Sequence, residues 1–102
     1  MAHKYGAIAT TLDGRKFASK KEARRYAELL LLQKAGLIRN LECQASFPLT
    51  VNGELVATYI ADFEYVENCQ HVVEDAKGVK TPVYRLKRKL MKAIHGIEIR
   101  ET

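Results

Sequence analysis

Tryptophan is absent and cysteine is scarce: only Cys43 and Cys69 occur in 102 residues. No CxxC spacing exists, which argues against a structural zinc site. Two isolated thiols read as reduced side chains of a cytoplasmic protein, because disulfides are rare there. The three histidines, His3, His71 and His95, show no HxxxH or related ligand spacing and read as surface or packing residues. GxGxxG and P-loop signatures are missing. The longest apolar run covers only residues 29–32, far short of a membrane span. The opening stretch MAHKYGAIATT lacks the apolar core of a signal peptide. These absences point to the cytoplasm.

What is present is the composition of a globular domain: 47% hydrophobic and 28% charged residues. The length suits one domain over residues 1–102, with one core and little room for a separate specificity domain. The formal net charge is +5 and the sequence pI about 9.3. That balance favours polyanions such as nucleic acid, or an acidic membrane surface.

Residues 1–18 are polar and basic, and Asp13-Gly14 is a turn signal between two short β-like runs, so a basic arm or loose hairpin is expected. Ser19 opens a helix through a capping box with Glu22, and Gly36 stops it. Ala23, Tyr26, Ala27, Leu30 and Leu31 share its apolar face, widened by Leu29. Residues 41–51 suit a strand, Asn52-Gly53 a hairpin turn, and 55–66 the strongest strand. Residues 71–77 suit the next strand, after the polar loop 67–70. Thr81-Pro82 suits the start of a second helix running to about His95, with Gly96 as its stop and Val83, Leu86, Leu90 and Ile94 as its buried stripe. Residues 97–100 alternate like a short closing strand. The order is helix, three strands, helix, strand: an α/β domain with a mixed sheet flanked by helices.

If the strands at 55–66 and 71–77 pair so that Val66 faces His71, Asp62 lies opposite Asp75. Opposed side chains share a face, and two ionised carboxylates there repel. A divalent cation such as Mg²⁺ or Mn²⁺ removes that repulsion. Lys77 falls on the same face as Asp75, beside Ile60 across the pair. Its ammonium suits a phosphate oxygen or an attacking water, and Gly78 lets backbone approach a ligand. Glu64 shares the face and is a candidate supporting acid. Glu74 points to the other face and is discounted. A solvated Asp75–Lys77 pair is the plain alternative, because a lone DxK is a loose motif.

A third acid would come from the first helix. Glu28 points away from its apolar stripe; Glu22 lies at the flank and is the candidate, although N3 of a capping box is also a structural position. Both readings of Glu22 stand. Lys80, Arg85, Lys87, Arg88, Lys89 and Lys92 fall in thirteen residues without an acid. Lys87 lies beside the apolar stripe and could point toward the site. Lys20, Lys21 and Arg24, with Arg15, Lys16 and Arg25, form a second basic cluster. Phosphate contacts account for both clusters better than two solvated faces do. Few exposed aromatics are evident, so base stacking is not indicated.

The segments ADF at 61–63 and VVEDAKG at 72–78, after SKKEARRYAELLLLQKAG at 19–36, resemble the PD-(D/E)XK nuclease superfamily. Within it, the chain looks like short phage-encoded resolvase-like proteins, over about residues 4 to 98. The resemblance implies a restriction-endonuclease-like core. It implies that Asp62, Asp75, the Ala76 carbonyl and Glu22 hold Mg²⁺, with Mn²⁺ as a substitute. It implies that Lys77 orients or activates water and steadies the developing charge. Tyr84 and Lys87 match positions of accessory polar residues. Ala61 stands where the motif names proline, a position that varies in the superfamily.

These readings lead to an expected Mg²⁺-dependent DNA endonuclease leaving 5′-phosphate ends. With no base-reading domain, recognition would rest on backbone and shape. A Holliday junction resolvase acting on four-way DNA as a twofold homodimer fits. The alternatives are a non-catalytic DNA-binding accessory protein on the same fold, or a nuclease for mismatched, nicked or linear DNA.

Overall fold

The structure, a computed structural model, describes residues 10–12, 15–76 and 80–102. Short strands β1 (Thr10–Leu12) and β2 (Arg15–Phe17) pair antiparallel. Asp13 and Gly14, the expected turn, lie outside the described residues. Helix α1 (Lys20–Lys34) follows, then β3 (Ile38–Val51), β4 (Glu54–Glu67) and β5 (Gln70–Asp75). Helix α2 (Pro82–Leu90) continues into a wider π-helical turn at Met91–His95, and β6 (Arg100–Glu101) closes the chain. The main sheet has the order β3-β4-β5-β6, antiparallel except for the parallel β5–β6 pair. Among the described residues the fold is therefore α/β, with a mixed four-stranded sheet and two helices.

Helix α1 starts where the cap chemistry says it should. The Ser19 hydroxyl accepts the Glu22 N–H at 3.2 Å, satisfying a donor that the first turn leaves open. Gly36, at φ +79°, closes the other end, and the Leu37 N–H reaches back to the Leu32 carbonyl at 2.9 Å. Its buried face is Glu22, Ala23, Tyr26 and Leu29. Leu31, expected on that face, is 67% exposed; the stripe centres closer to Leu29, which is fully buried.

Two-residue turns set the hairpins. Asn52 and Gly53 both have positive φ between paired Val51 and Glu54. Asn68 and Cys69 do the same between Glu67 and Gln70. Both match the turn twist that suits adjoining antiparallel strands. The β4–β5 loop is thus two residues shorter than the 67–70 reading, yet the register is the expected one, Val66 opposite His71. Strand β5 ends at Asp75, not at residue 77, and β6 forms at Arg100–Glu101 instead of 97–100.

Two apolar clusters flank the sheet. Under α1 lie Tyr26, Leu29, Ile38, Phe63, Tyr65 and Val72. Beside α2 lie Leu49, Tyr59, Ala61, Val73, Tyr84 and Met91. The second helix docks on only part of the stripe its periodicity marks: Leu90 and Ile94 pack against this cluster, but Val83 and Leu86 do not. Val83 and Leu86 are 61% and 58% exposed, while Tyr84 and Met91 are buried. The cause is polar. Glu101 lies within reach of α2, so the helix turns Tyr84 and Arg88 toward it, at 2.7 and 3.0 Å.

Candidate active site

The β4–β5 register runs as far as Phe63 opposite Glu74. The next position along each strand is Asp62 and Asp75. Their carboxylates are near enough that Asp75 acts directly on the Asp62 carboxyl. Asp62 Oδ2 also accepts the Ala76 N–H at 2.8 Å, so the backbone just past β5 ties down the β4 acid. Asp75 is fully buried, and its Oδ2 accepts the Tyr59 hydroxyl at 2.5 Å.

Burial pushes the Asp62 carboxyl up to about 7, helped by the hydrogen bond and charge of Asp75. The Ala76 N–H acts in the opposite direction, and the charge of Glu22 adds to the rise. A carboxyl this close to another acid in a low-dielectric setting holds its proton more tightly, as Asp62 does here. A hard divalent cation can take that proton's place. Mg²⁺ is commonly held by one or two carboxylates and completes its shell with water and phosphate oxygens. Asp62 and Asp75, with the adjacent Ala76 carbonyl, fit that donor chemistry.

Glu22 serves the helix cap, and its carboxylate lies near Asp62. Its backbone N–H serves the Ser19 cap, while its buried carboxylate accepts from Gln44 Nε2 at 3.3 Å and adds charge near Asp62. Among the described residues, no three His, Cys, Asp or Glu side chains are grouped so as to hold one metal ion. The candidate ligand set is therefore a carboxylate pair with Glu22 nearby. Lys77 and Gly78 lie outside the described residues. Glu64 is drawn away to the His71 ring at 2.5 Å.

Glu74, discounted from the alternation of β5, points under α1. It is fully buried and receives Arg25 Nε at 2.6 Å, Arg25 Nη2 at 3.0 Å, the Tyr65 hydroxyl and the Thr102 hydroxyl at 3.0 Å. Burial pushes its carboxyl up, but those bonds outweigh it and hold the group below the usual carboxylate range. Neighbouring acids of one strand thus have opposite fates, one neutralised by arginine and one set against another acid.

The basic residues divide in the same way. Lys80 and Arg88 each meet Glu101 at 3.0 Å, and Lys92 meets Glu98 at 2.8 Å. The stretch that lacks acids locally finds them at the C-terminus of the fold. Lys87 does not turn toward the carboxylate pair; its Nζ donates to the Thr58 carbonyl at 2.9 Å. Arg85 and Lys89 are exposed, as are Lys20, Lys21 and Arg24. A cleft of about 210 Å³ lined by Lys21, Arg24, Arg25, Glu28, Ala76 and Thr102 opens beside Ala76. A larger one of about 340 Å³, lined by Arg88, Lys89, Lys92, Glu98 and Ile99, holds none of the site carboxylates.

Tyr59, Gln44, and the pairing of Arg25 with Glu74 escape sequence reasoning. They come from four elements and carry no local spacing signal.

Residues 2–101 match the family described as a protein of unknown function (DUF1064). The chain belongs to that family. No curated protein and no solved structure matches it. Among the described residues, no helix is long and apolar enough to cross a membrane.

Proposed function

We propose that this protein is a Mg²⁺-dependent, structure-selective DNA endonuclease, a resolvase of four-way junctions built on a restriction-endonuclease-like core. The observation that carries the reading is the contact between Asp62 and Asp75 beside the Ala76 backbone. A repelling acid pair is a costly feature to keep in a buried strand unless it serves a ligand. Asp62, Asp75 and the Ala76 carbonyl would hold the cation. A Mg²⁺ ion held there would supply Lewis-acid chemistry toward a phosphate oxygen and a water. The Ala76 N–H keeps Asp62 oriented, and Glu22 adds negative charge that favours a cation. Lys77, next in sequence, would steady charge on the phosphate. Lys21 and Arg24, which line the cleft at Ala76, would contact the DNA backbone, with Lys20 beside them in sequence. A junction has two equivalent cut points, so the working form would be a twofold homodimer in the cytoplasm.

The test is a synthetic four-way junction incubated with protein and Mg²⁺, beside flap, nicked and linear DNA. Cleavage of the junction, lost in Asp62→Asn and in Lys77→Ala with binding retained, supports the proposal. Metal-independent binding with no cutting of any DNA form would replace it with an accessory DNA-binding role. Cutting that both variants retain would overturn the site.

A further inference from the structure

Tyr59 donates its hydroxyl to Asp75 Oδ2 at 2.5 Å, and both side chains are buried. The tyrosine sits on β4, three positions before Asp62, where the strand packs in the α2 cluster with Val73 and Tyr84. Its ring lies 6.4 Å from that of Tyr84, whose own hydroxyl is fixed by Glu101 at 2.7 Å. Glu101 in turn pairs with Asp75 across β5 and β6. The Tyr59 ring is thus held from α2 and β6, and it aims one donor at one oxygen of one acid.

We propose that Tyr59 is a positioning residue of the cation site: by bonding Oδ2 it fixes the orientation of the Asp75 carboxylate. This rests on the proposal that Asp62 and Asp75 bind a divalent cation. Partners that orient ligating groups influence metal affinity strongly, typically by about 10- to 100-fold when removed. Tyr65 supplies a matched comparison. It donates the same kind of buried bond to the neighbouring acid, Glu74, on the other side of β5.

The full chain is titrated with Mn²⁺ at fixed pH, reading free Mn²⁺ by electron paramagnetic resonance. Tyr59→Phe keeps the ring and removes the donor. It should weaken Mn²⁺ binding by about tenfold or more, while Tyr65→Phe leaves it within twofold. Equal affinity in wild type and Tyr59→Phe overturns the role of Tyr59 and leaves the metal site standing. Equal weakening by both variants also overturns it, because that marks general loosening. A wild type that binds no Mn²⁺ overturns the site itself. A second reading on the wild type does not depend on a folded variant. Saturating Mg²⁺ redistributes charge on Asp75, so the near-ultraviolet tyrosine band should shift; an unmoved band overturns the proposal.

Discussion

Arg25 of α1 grips Glu74 of β5 through two parallel hydrogen bonds, 2.6 Å from Nε and 3.0 Å from Nη2. This fork ties the helix carrying Glu22 to the strand carrying Asp75. Glu74 is fully buried and the Arg25 side chain is 21% exposed, so solvent screens the pair little. Removing one partner strands a buried charge. Arg25→Met should cost about 3 kcal/mol or more, read from urea denaturation. Glu74→Gln, which keeps hydrogen bonding but loses charge, should cost less. The pH dependence has a definite sign. Glu74 titrates below its ordinary range in the folded state, so its stabilisation is complete above about pH 4.5 and fades as pH falls.

Asp62 behaves oppositely. Its carboxyl is raised to about 7 by burial and Asp75, so between about pH 4 and that value the folded state binds more protons than the unfolded one. Stability in EDTA should therefore fall as pH rises through this window, by up to about 1.4 kcal/mol per pH unit. Asp62→Asn should flatten that slope and raise stability at pH 8. Denaturation midpoints measured from pH 4 to pH 8 decide it; an unchanged slope in the variant refutes the coupling.

Divalent cation should reverse this penalty. At pH 8, Mg²⁺ at 100 times its dissociation constant should add about 2.7 kcal/mol by mass action. The gain should vanish in Asp75→Asn. Thermal melts with and without Mg²⁺ give the comparison, and a gain that persists in the variant would place the cation elsewhere.

The orientation of α2 is testable by contrast. Leu86 is exposed and Met91 fully buried. Leu86→Gln should change stability by less than about 0.5 kcal/mol, whereas Met91→Ala should cost about 2 to 5 kcal/mol. The reverse order would restore the stripe of Val83 and Leu86 to the core.

Cys69 is exposed at φ +63°, in a turn that demands left-handed backbone. Cys69→Gly completes the preferred Asn-Gly pair and should stabilise the protein by about 1 kcal/mol. A lowered melting temperature would contradict the turn geometry.

Local chemistry alone determined much of this protein. The Ser19 cap, the Gly36 and Gly96 stops and the Asn52-Gly53 turn act over a few residues, so their outcomes are written in short segments. The alternation of β4 and β5 sent Glu74 to one side of the sheet and set Asp62 against Asp75. Other features were settled by contacts distant in sequence. Glu101 reaches Tyr84, Lys80 and Arg88 only once β6 lies beside β5, and that contact turns Tyr84 inward where Val83 and Leu86 were expected. Arg25 became a structural cation because Glu74 was buried beneath it, and Tyr59 met Asp75 because α2 and β6 hold its ring in place. Periodicity records which face of an element is apolar. Which face docks depends on the polar groups waiting there, because a buried charge must find its partner before an apolar side chain finds cover.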